Sequence, residues 1–440
     1  MIILFHFKQF DLRTALSYLR AQYGRDVLPV GLITRESTGN PRELDDSFLG
    51  IARMSPHRRR FYRSCIDELG EQYKQEGLTL LTSDLSTRDV VRENMDSPCH
   101  IWVHTSPGSE ETSFLDHLAE TLPSHAELRL LPATTMLAED ELPMSIDKIP
   151  ATFSGFRKRV EKRGYEQYRF TREQFNFPRA HSRGRERLDY YLWQSHRILT
   201  YKQTRNGLGG GDYASRLSKW LAVGAISGAE VVAAIRRFEA EVAANESTYW
   251  LLFELLWRDY FHYLHRKIGD LLFFPRGMKE LRSPGLRDTA RWKLPRLATT
   301  IEMYPMDHQT LTRYWQRFLD WAGGTTTQPL INAIMCELFA TGEISNRARL
   351  CAASALIYDL GVPWWWGAQW FEYCLLDYDV SSNWGNWAYA AGVGADSRPE
   401  RRFNIEHQTR QHDPDGVYRN WVAAQGWENP ELPLPPDPPI

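Results

Sequence analysis

At 440 residues the chain has room for two or three domains of roughly 150 residues each, and 42% hydrophobic with 25% charged residues at a net charge of −2 is the make-up of an ordinary soluble globular protein. The opening MIILFHFKQF lacks the basic start, long apolar run and cleavage site of a signal peptide, and no stretch approaches 18 apolar residues, so the expectation is a cytoplasmic protein, neither secreted nor membrane-spanning. The cysteines, Cys65, Cys99, Cys336, Cys351 and Cys374, are odd in number, form no CxxC pair and lie mostly in apolar runs, which reads as a reduced, intracellular chain with no metal site. Sixteen Trp and 13% aromatic residues are high, so some rings are expected to do more than fill space.

Residues 1–132 alternate short apolar runs with amphipathic segments. IILFHF, VLPVGLI, LTLLTS, IWVHT and LRLLP read as strands, and DLRTALSYLRAQYG, HRRRFYRSCIDELGEQYKQEG and SFLDHLAETL as helices. That alternation predicts βαβ units on a parallel, Rossmann-like sheet, an α/β domain. No GxGxxG or GxxxxGK motif follows a strand, so the usual dinucleotide and triphosphate fingerprints are absent.

A connector is expected over 133–188. From Arg157 to Arg187 it holds 11 Lys and Arg against 4 Asp and Glu, a local balance of +7, with Phe153, Phe156, Tyr165, Tyr168, Phe170, Phe175 and Phe177 interleaved. Basic residues mixed with aromatics suit a phosphate backbone. A solvated linker whose rings pack on both domains has the same pattern.

From 189 to 428 the periodicity is helical throughout, in LDYYLWQSHRIL, SRLSKWLAVGAIS, GAEVVAAIRRFEAEV, TYWLLFELLWRDYFHYLHRKI, LINAIMCELFATG, ARLCAASALIYDLG and WWGAQWFEYCLLDYDV. Apolar residues at spacings of three and four, broken by Gly, Pro and Ser, predict a larger all-α domain. Residues 429–440 form a proline-rich tail, read as disordered or polyproline.

Four places in this half carry chemistry. YKQTRNGLGGGDYASRLS sets a glycine-rich loop before Ser215 and Ser218 at a helix start, where N–H groups, hydroxyls and the positive helix end favour a phosphate; plain N-capping by either serine fits as well. FELLWRDYF puts Glu254, Trp257 and Arg258 at i, i+3 and i+4 on one helix face. ISNRARL sets Asn346 three before Arg349; Asn346 could cap its helix and Arg349 could pair with an Asp. In DYDVSSNWGNWAY, Asn383 and Trp387 stand four apart on one face, with Asp377 and Asp379 just upstream, which gives either a polar pocket walled by aromatics or a buried aromatic helix with capping carboxylates. An arginine such as Arg349 facing Asp377 would form a buried, bidentate ion pair.

TRNGLGGGDYASRLSKWLAVGAIS, ANESTYWLLFELLWRDYF, TGEISNRARL and DYDVSSNWGNWAYAAGVG resemble the photolyase/cryptochrome family, nearest the DASH cryptochromes, and the resemblance is dense from Tyr201 to Trp421. Upstream, PHRRRFYRSCIDEL and PATFSGFRKRVEK also resemble the DASH type, whereas ILFHFKQFDLRTAL departs from the family's usual opening. The resemblance implies FAD in the helical domain, with Tyr201, Ser215, Leu217 and Ser218 around its phosphates and Arg258, Asn346, Arg349, Asp377, Asp379 and Asn383 around ribityl and ring. Asn383 would face N5, where an amide can donate or accept. It implies Glu254 and Asn346 as contacts of a pyrimidine dimer, and Trp387 and Trp364 as inner members of an electron-transfer chain whose outer member is replaced by Trp315 or Tyr314. A folate antenna, methenyltetrahydrofolate, would meet Glu110 and Glu111.

The function implied is light-driven repair of cyclobutane pyrimidine dimers, preferentially in single-stranded DNA, by a monomer. Thr327-Gln328, Asn332 and Leu350 depart from the family's dimer pocket, while Tyr389 is usual for the DASH type. Two other readings compete: a blue-light receptor with little or no repair activity, and a helical nucleic-acid binder without flavin.

Overall fold

A computed structural model of the chain describes residues 1–38, 49–50, 52–94, 97–164, 182–278, 307–395 and 402–438. The connector stretch with Tyr165, Tyr168, Phe170, Phe175 and Phe177 lies outside the described residues. The N-terminal part runs β1 (Ile2–Phe5), α1 (Arg13–Tyr23), β2 (Val30–Ile33), α2 (Pro56–Gln75), β3 (Leu80–Thr82), α3 (Thr87–Asn94), β4 (Cys99–His104), α4 (Ser109–Thr121) and β5 (Ala126–Leu131). All pairings are parallel, in the order β3-β2-β1-β4-β5, with Ile3 opposite both Val30 and Ile101. The central strands are apolar on both faces, as a doubly covered sheet requires. Leu4, Ile33 and Trp102 pack with α1 and α2, and Ile3, Phe5 and Val103 with α3 and α4. The eight-residue α3 was not foreseen; it buries little beyond Val90 and Val91, too short a stripe to give a helical period.

The strand order reverses between β1 and β4, which opens a crevice at their carboxyl ends. The helical part docks there. Gln9 donates to Ala222 O at 3.1 Å, and the Phe10 N–H donates to Val223 O at 2.6 Å.

That part comprises α5 (Phe153–Arg163), α6 (Arg183–Asp189), α7 (Tyr201–Thr204), α8 (Ser218–Ala222), α9 (Gly228–Glu241), α10 (Glu246–Ile268), α11 (His308–Ala322), α12 (Pro329–Thr341), α13 (Asn346–Ser354), α14 (Trp364–Cys374), α15 (Val380–Ala390), α16 (Ile405–His412) and α17 (Val417–Ala424). Its axis is α10, begun by a capping box in which Asn245 Oδ1 accepts from the Ser247 and Thr248 N–H groups. Two glycines bring α15 close to its neighbours: a Cβ on Gly385 would stand 2.4 Å from the Phe261 ring of α10, and one on Gly367 of α14 would stand 2.2 Å from the Trp387 ring.

Several expected helices are shorter than their periodicity. SRLSKWLAVGAIS is helical only over Ser218–Ala222, because Arg216 (φ 56°) precedes it and Gly224 (φ 67°) follows. LDYYLWQSHRIL passes from α6 into a π-turn, Tyr190–Gln194, and breaks at His196 (φ 52°). The last turn expected of WWGAQWFEYCLLDYDV is absent: α14 stops at Cys374, and the Leu376 N–H turns away to Gly342 O. The tail, read as disordered or polyproline, lies on the helical core through its described residues, with Leu432 and Leu434 packed inward and Pro435 O accepting from Trp315 Nε1 at 3.1 Å.

Candidate functional site

A cavity of about 490 Å³ opens among α7, α8, α10, α13 and α15, within the size range of small-molecule and cofactor sites. Tyr201, Ser215, Leu217, Ser218, Arg258, Asn346, Arg349, Asp377, Asp379 and Asn383 all line it, as do Glu254 and Trp387. Residues up to 186 positions apart, Tyr201 and Trp387, thus line one cavity.

The glycine-rich loop is held from outside by Arg187 of α6. Its Nε donates to Ser215 O at 2.9 Å, Nη1 to Asp212 Oδ1 at 3.0 Å, and Nη2 to Gly211 O and Ala214 O at 3.2 and 3.0 Å. Arg216 sits in the left-handed region, a conformation that costs a non-glycine residue on the order of 1 kcal/mol. Neither the Ser215 nor the Ser218 hydroxyl caps α8, whose Leu217 cap makes no side-chain bond, so both remain available to a ligand. Burial pushes the Tyr201 phenol up to about 12, so it stays a neutral hydrogen-bonding group.

On α10, Arg258 spans two elements. Nη1 donates to Thr134 O and Nη2 to Leu221 O, each at 3.1 Å. Its neighbour Asp259 points away from the cavity and accepts from the Met136 and Leu137 N–H groups at 3.1 and 2.8 Å; burial lifts its carboxyl to about 7. Glu254 pairs with Arg205, where both are partly exposed. Trp257 stacks on Phe153 with centroids 3.8 Å apart.

Opposite, Ser345 rather than Asn346 caps α13, accepting from the Ala348 N–H at 3.1 Å; Asn346 is exposed toward the opening. Arg349 reaches Asp377 as expected, but one nitrogen, Nη2, contacts both carboxylate oxygens, so the pair is not a two-nitrogen fork. Asp377 and Tyr378 precede α15. Asp379 is both cap and lining, its Oδ1 accepting from the Ser382 N–H at 2.7 Å, so the two readings of that carboxylate hold together. Asn383 donates to Ala368 O at 2.9 Å, which leaves its amide oxygen as the uncommitted polar atom.

Trp364 stands apart from the lining. Its ring neighbours are Trp384 at 5.8 Å and Trp365 at 6.1 Å, whereas those of Trp387 are Phe371 at 5.0 Å and Trp321 at 6.2 Å. Trp315 is buried against Trp366 at 5.7 Å, and Tyr314 packs partly buried on the core. Thr327, Gln328 and Asn332 lie away from the cavity: Asn332 holds Thr326 and Gln328 donates to Asp359, while Leu350 and Tyr389 do line it. Glu110 is paired with Arg53, and Glu111 with Lys8 at 3.1 Å. The sequence reading missed Arg187, Arg205, Arg216 and Lys219; only Arg205 carried a local signal, one turn beyond Tyr201.

Free hydroxyls beside a glycine loop suit phosphates. An arginine–carboxylate pair, a capping Asp and an uncommitted amide oxygen suit a polyhydroxyl chain and a heteroaromatic edge, and Leu217, Phe371 and Trp387 supply apolar walls. The residues therefore fit FAD.

Comparison with known proteins gives the same picture. A model described as the FAD binding domain of DNA photolyase matches residues 250–425, and one described as DNA photolyase matches residues 12–175. Cryptochrome DASH of Gloeobacter violaceus is 35% identical over 87% of this chain and 78% of its own length, and that of Synechocystis 34% identical over 87% and 80%. The crystal structure of Synechocystis cryptochrome superposes with a TM-score of 0.76 at 30% identity, covering 96% of this chain and 88% of that one. A class III photolyase from Agrobacterium tumefaciens shares the fold at a TM-score of 0.64 and 19% identity, covering 96% and 86%.

Proposed function

The chain belongs to the DASH cryptochromes of the photolyase/cryptochrome family, and from that premise we propose that it repairs cyclobutane pyrimidine dimers in single-stranded DNA under blue light. It is a blue-light flavoprotein with FAD as its cofactor. When bound and reduced, FAD supplies the excited electron that a dimer takes up and returns after its ring opens.

The observation that carries the reading is the pairing of Glu254 with Arg205 at the mouth of the same cavity whose floor holds Asn383 and Trp387. The carboxylate can accept from a base N–H, and the guanidinium can donate to a carbonyl or phosphate oxygen, so the pair presents both halves of a pyrimidine edge. Asn346, exposed at the opening, adds an amide that reads either partner. Arg216, also on the lining, provides positive charge for an anionic strand. A dimer reaches this depth only when flipped out. In a duplex that costs a few kcal/mol of unstacking and unpairing, much less in a single strand, which supports single-stranded substrate.

A receptor reading is favoured by one feature: Leu350 places an apolar side chain on the lining beside Arg349. For a folate antenna, Glu110 and Glu111 would have to give up Arg53 and Lys8; a near-ultraviolet band with energy transfer to flavin tests it. The test of the main reading is illumination of dimer-containing oligonucleotides, single and double stranded, with reduced protein. Loss of dimers from single strands supports repair, and no loss from either substrate leaves the receptor.

A further inference from the structure

The segment Asp377-Tyr378-Asp379-Val380-Ser381 alternates. Asp377 and Asp379 line the cavity, while Tyr378 and Val380 turn to the α/β domain. Beneath Tyr378 lies Arg58 of α2, only 5% exposed, its guanidinium carbon 4.6 Å from the Tyr378 ring centroid and 5.4 Å from that of Tyr62. Arg58 Nη1 donates to Glu372 O at 2.8 Å and Nη2 to Tyr62 Oη at 3.3 Å. Ser55, which caps α2 by accepting from the Arg58 N–H, donates its own N–H to Tyr373 O at 3.0 Å. The start of α2 is therefore bound to the end of α14 and to the turn that follows it.

A second contact meets the same turn. At the start of α4, a Cβ on Gly108 would stand 3.4 Å from Val380 Cγ1, so this backbone abuts the first residue of α15. From the other side His265 of α10, fully buried, joins its Nδ1 to Ser381 Oγ at 2.9 Å. Both contacts come from segments that follow the carboxyl ends of sheet strands, α2 after β2 and α4 after β4, and β4 borders the crevice where the sheet order reverses, the place where an open α/β sheet ordinarily takes a ligand. Here that crevice receives the helical part instead.

We propose that the α/β domain is part of the flavin site: Arg58 is a positioning residue that, through Tyr378, fixes the two carboxylates Asp377 and Asp379 against the cavity. A buried guanidinium over a ring is a strong contact because neither partner is hydrated, and its planar fork ties the ring to the α14 carbonyl at a fixed angle. Loosening Tyr378 weakens the hold on both neighbouring carboxylates at once, since Tyr378 lies between them and the Val380 packing on Gly108 is a van der Waals contact without the fixed angle of the guanidinium. The inference rests on the reading of the cavity as the FAD site.

The test is a titration of flavin-stripped, full-length protein with FAD, followed by quenching of flavin fluorescence, for wild type, Arg58→Met, Tyr378→Leu and the double variant, with apoprotein melting recorded in parallel. Each single variant is expected to weaken FAD binding on the order of tenfold, with apoprotein melting close to wild type, and the double variant no further than the weaker single one. Arg58→Lys, which keeps the charge and loses the planar fork, carries the comparison should Arg58→Met fail to fold. Folded variants that bind FAD like wild type overturn the inference and leave the cofactor reading intact. Additive losses show that Arg58 does not act through Tyr378 and also overturn it. A wild-type chain that takes up no FAD removes both.

Discussion

Arg349 and Asp377 meet through a single nitrogen, with Nη2 3.0 Å from Oδ1 and 2.8 Å from Oδ2, while Nε and Nη2 also donate to Ile344 O at 3.3 Å. The carboxylate is nearly buried, at 8% exposed, and the guanidinium keeps 28%. Part of the arginine's donor capacity thus remains directed at the cavity.

Asp377→Asn is expected to lower FAD affinity by roughly tenfold and melting temperature only slightly, because a partly exposed arginine left without its carboxylate is rehydrated rather than stranded. Flavin-to-protein ratio after gel filtration, with a melting curve, checks this. Full flavin content in the variant contradicts the assignment.

Trp387→Phe is expected to keep the fold and the flavin and to slow flavin photoreduction at least tenfold. The ring touches Phe371 and Trp321 and faces the same cavity as Asn383, one turn earlier on α15. Asn383→Asp, which replaces the uncommitted amide by a charge, is expected to change which reduced form accumulates. Photoreduction of Trp387→Phe at the wild-type rate would remove it from the electron path. Since Trp364 and Trp387 are not in ring contact, Trp364→Phe in the same assay shows whether Trp364 belongs to that path.

A pH dependence follows from Glu337, buried on α12, with its Oε2 accepting from Tyr418 Oη at 2.5 Å. Burial lifts its carboxyl to about 7. A group whose folded pKa exceeds its unfolded one binds protons better when folded, so its contribution is full below the ordinary carboxylate range and is lost as pH rises through about 7. The buried histidines His6, His262 and His265 act in the opposite sense, their pKa lowered to about 3, 3 and 4 by burial, so stability gains as pH rises toward 6.5. Glu337→Gln isolates the first effect, because it keeps an acceptor for Tyr418 and does not titrate. Its melting is expected to match wild type near pH 5 and to exceed it near pH 8 by on the order of 2 kcal/mol. A difference between the two proteins that does not change with pH contradicts the assignment.

Two parts of the cavity lining were legible in local spacing because their residues sit on single helix faces, while the roles of the rest came from the family resemblance. Glu254, Trp257 and Arg258 share a face of α10, and Asn383 and Trp387 share one of α15. The sheet was legible for the same reason, its strands being short apolar runs between amphipathic helices. What escaped depends on contacts between distant segments. Arg187 organises a loop 24 to 28 residues away, Arg205 meets a carboxylate 49 residues on, and Arg58 reaches a turn more than 300 residues downstream. The shortened α8 escaped because the break comes from Arg216 and Gly224, whose backbone angles no hydrophobic period encodes. The packing of the tail escaped because proline content predicts lack of regular structure, not lack of packing, and Leu432 and Leu434 find the helical core.

The reading of this chain as a repair enzyme meets its most direct test in Glu254. Reduced wild type and Glu254→Ala, matched for flavin content, are illuminated with dimer-containing single strands, and the loss of dimers is followed. The expected result is repair by wild type and a yield lower by up to roughly a hundredfold in the variant, the scale on which loss of a group that positions the reacting base acts. Equal repair by both proteins would take Glu254 out of the mechanism, and no repair by flavin-loaded wild type would contradict the reading as an enzyme.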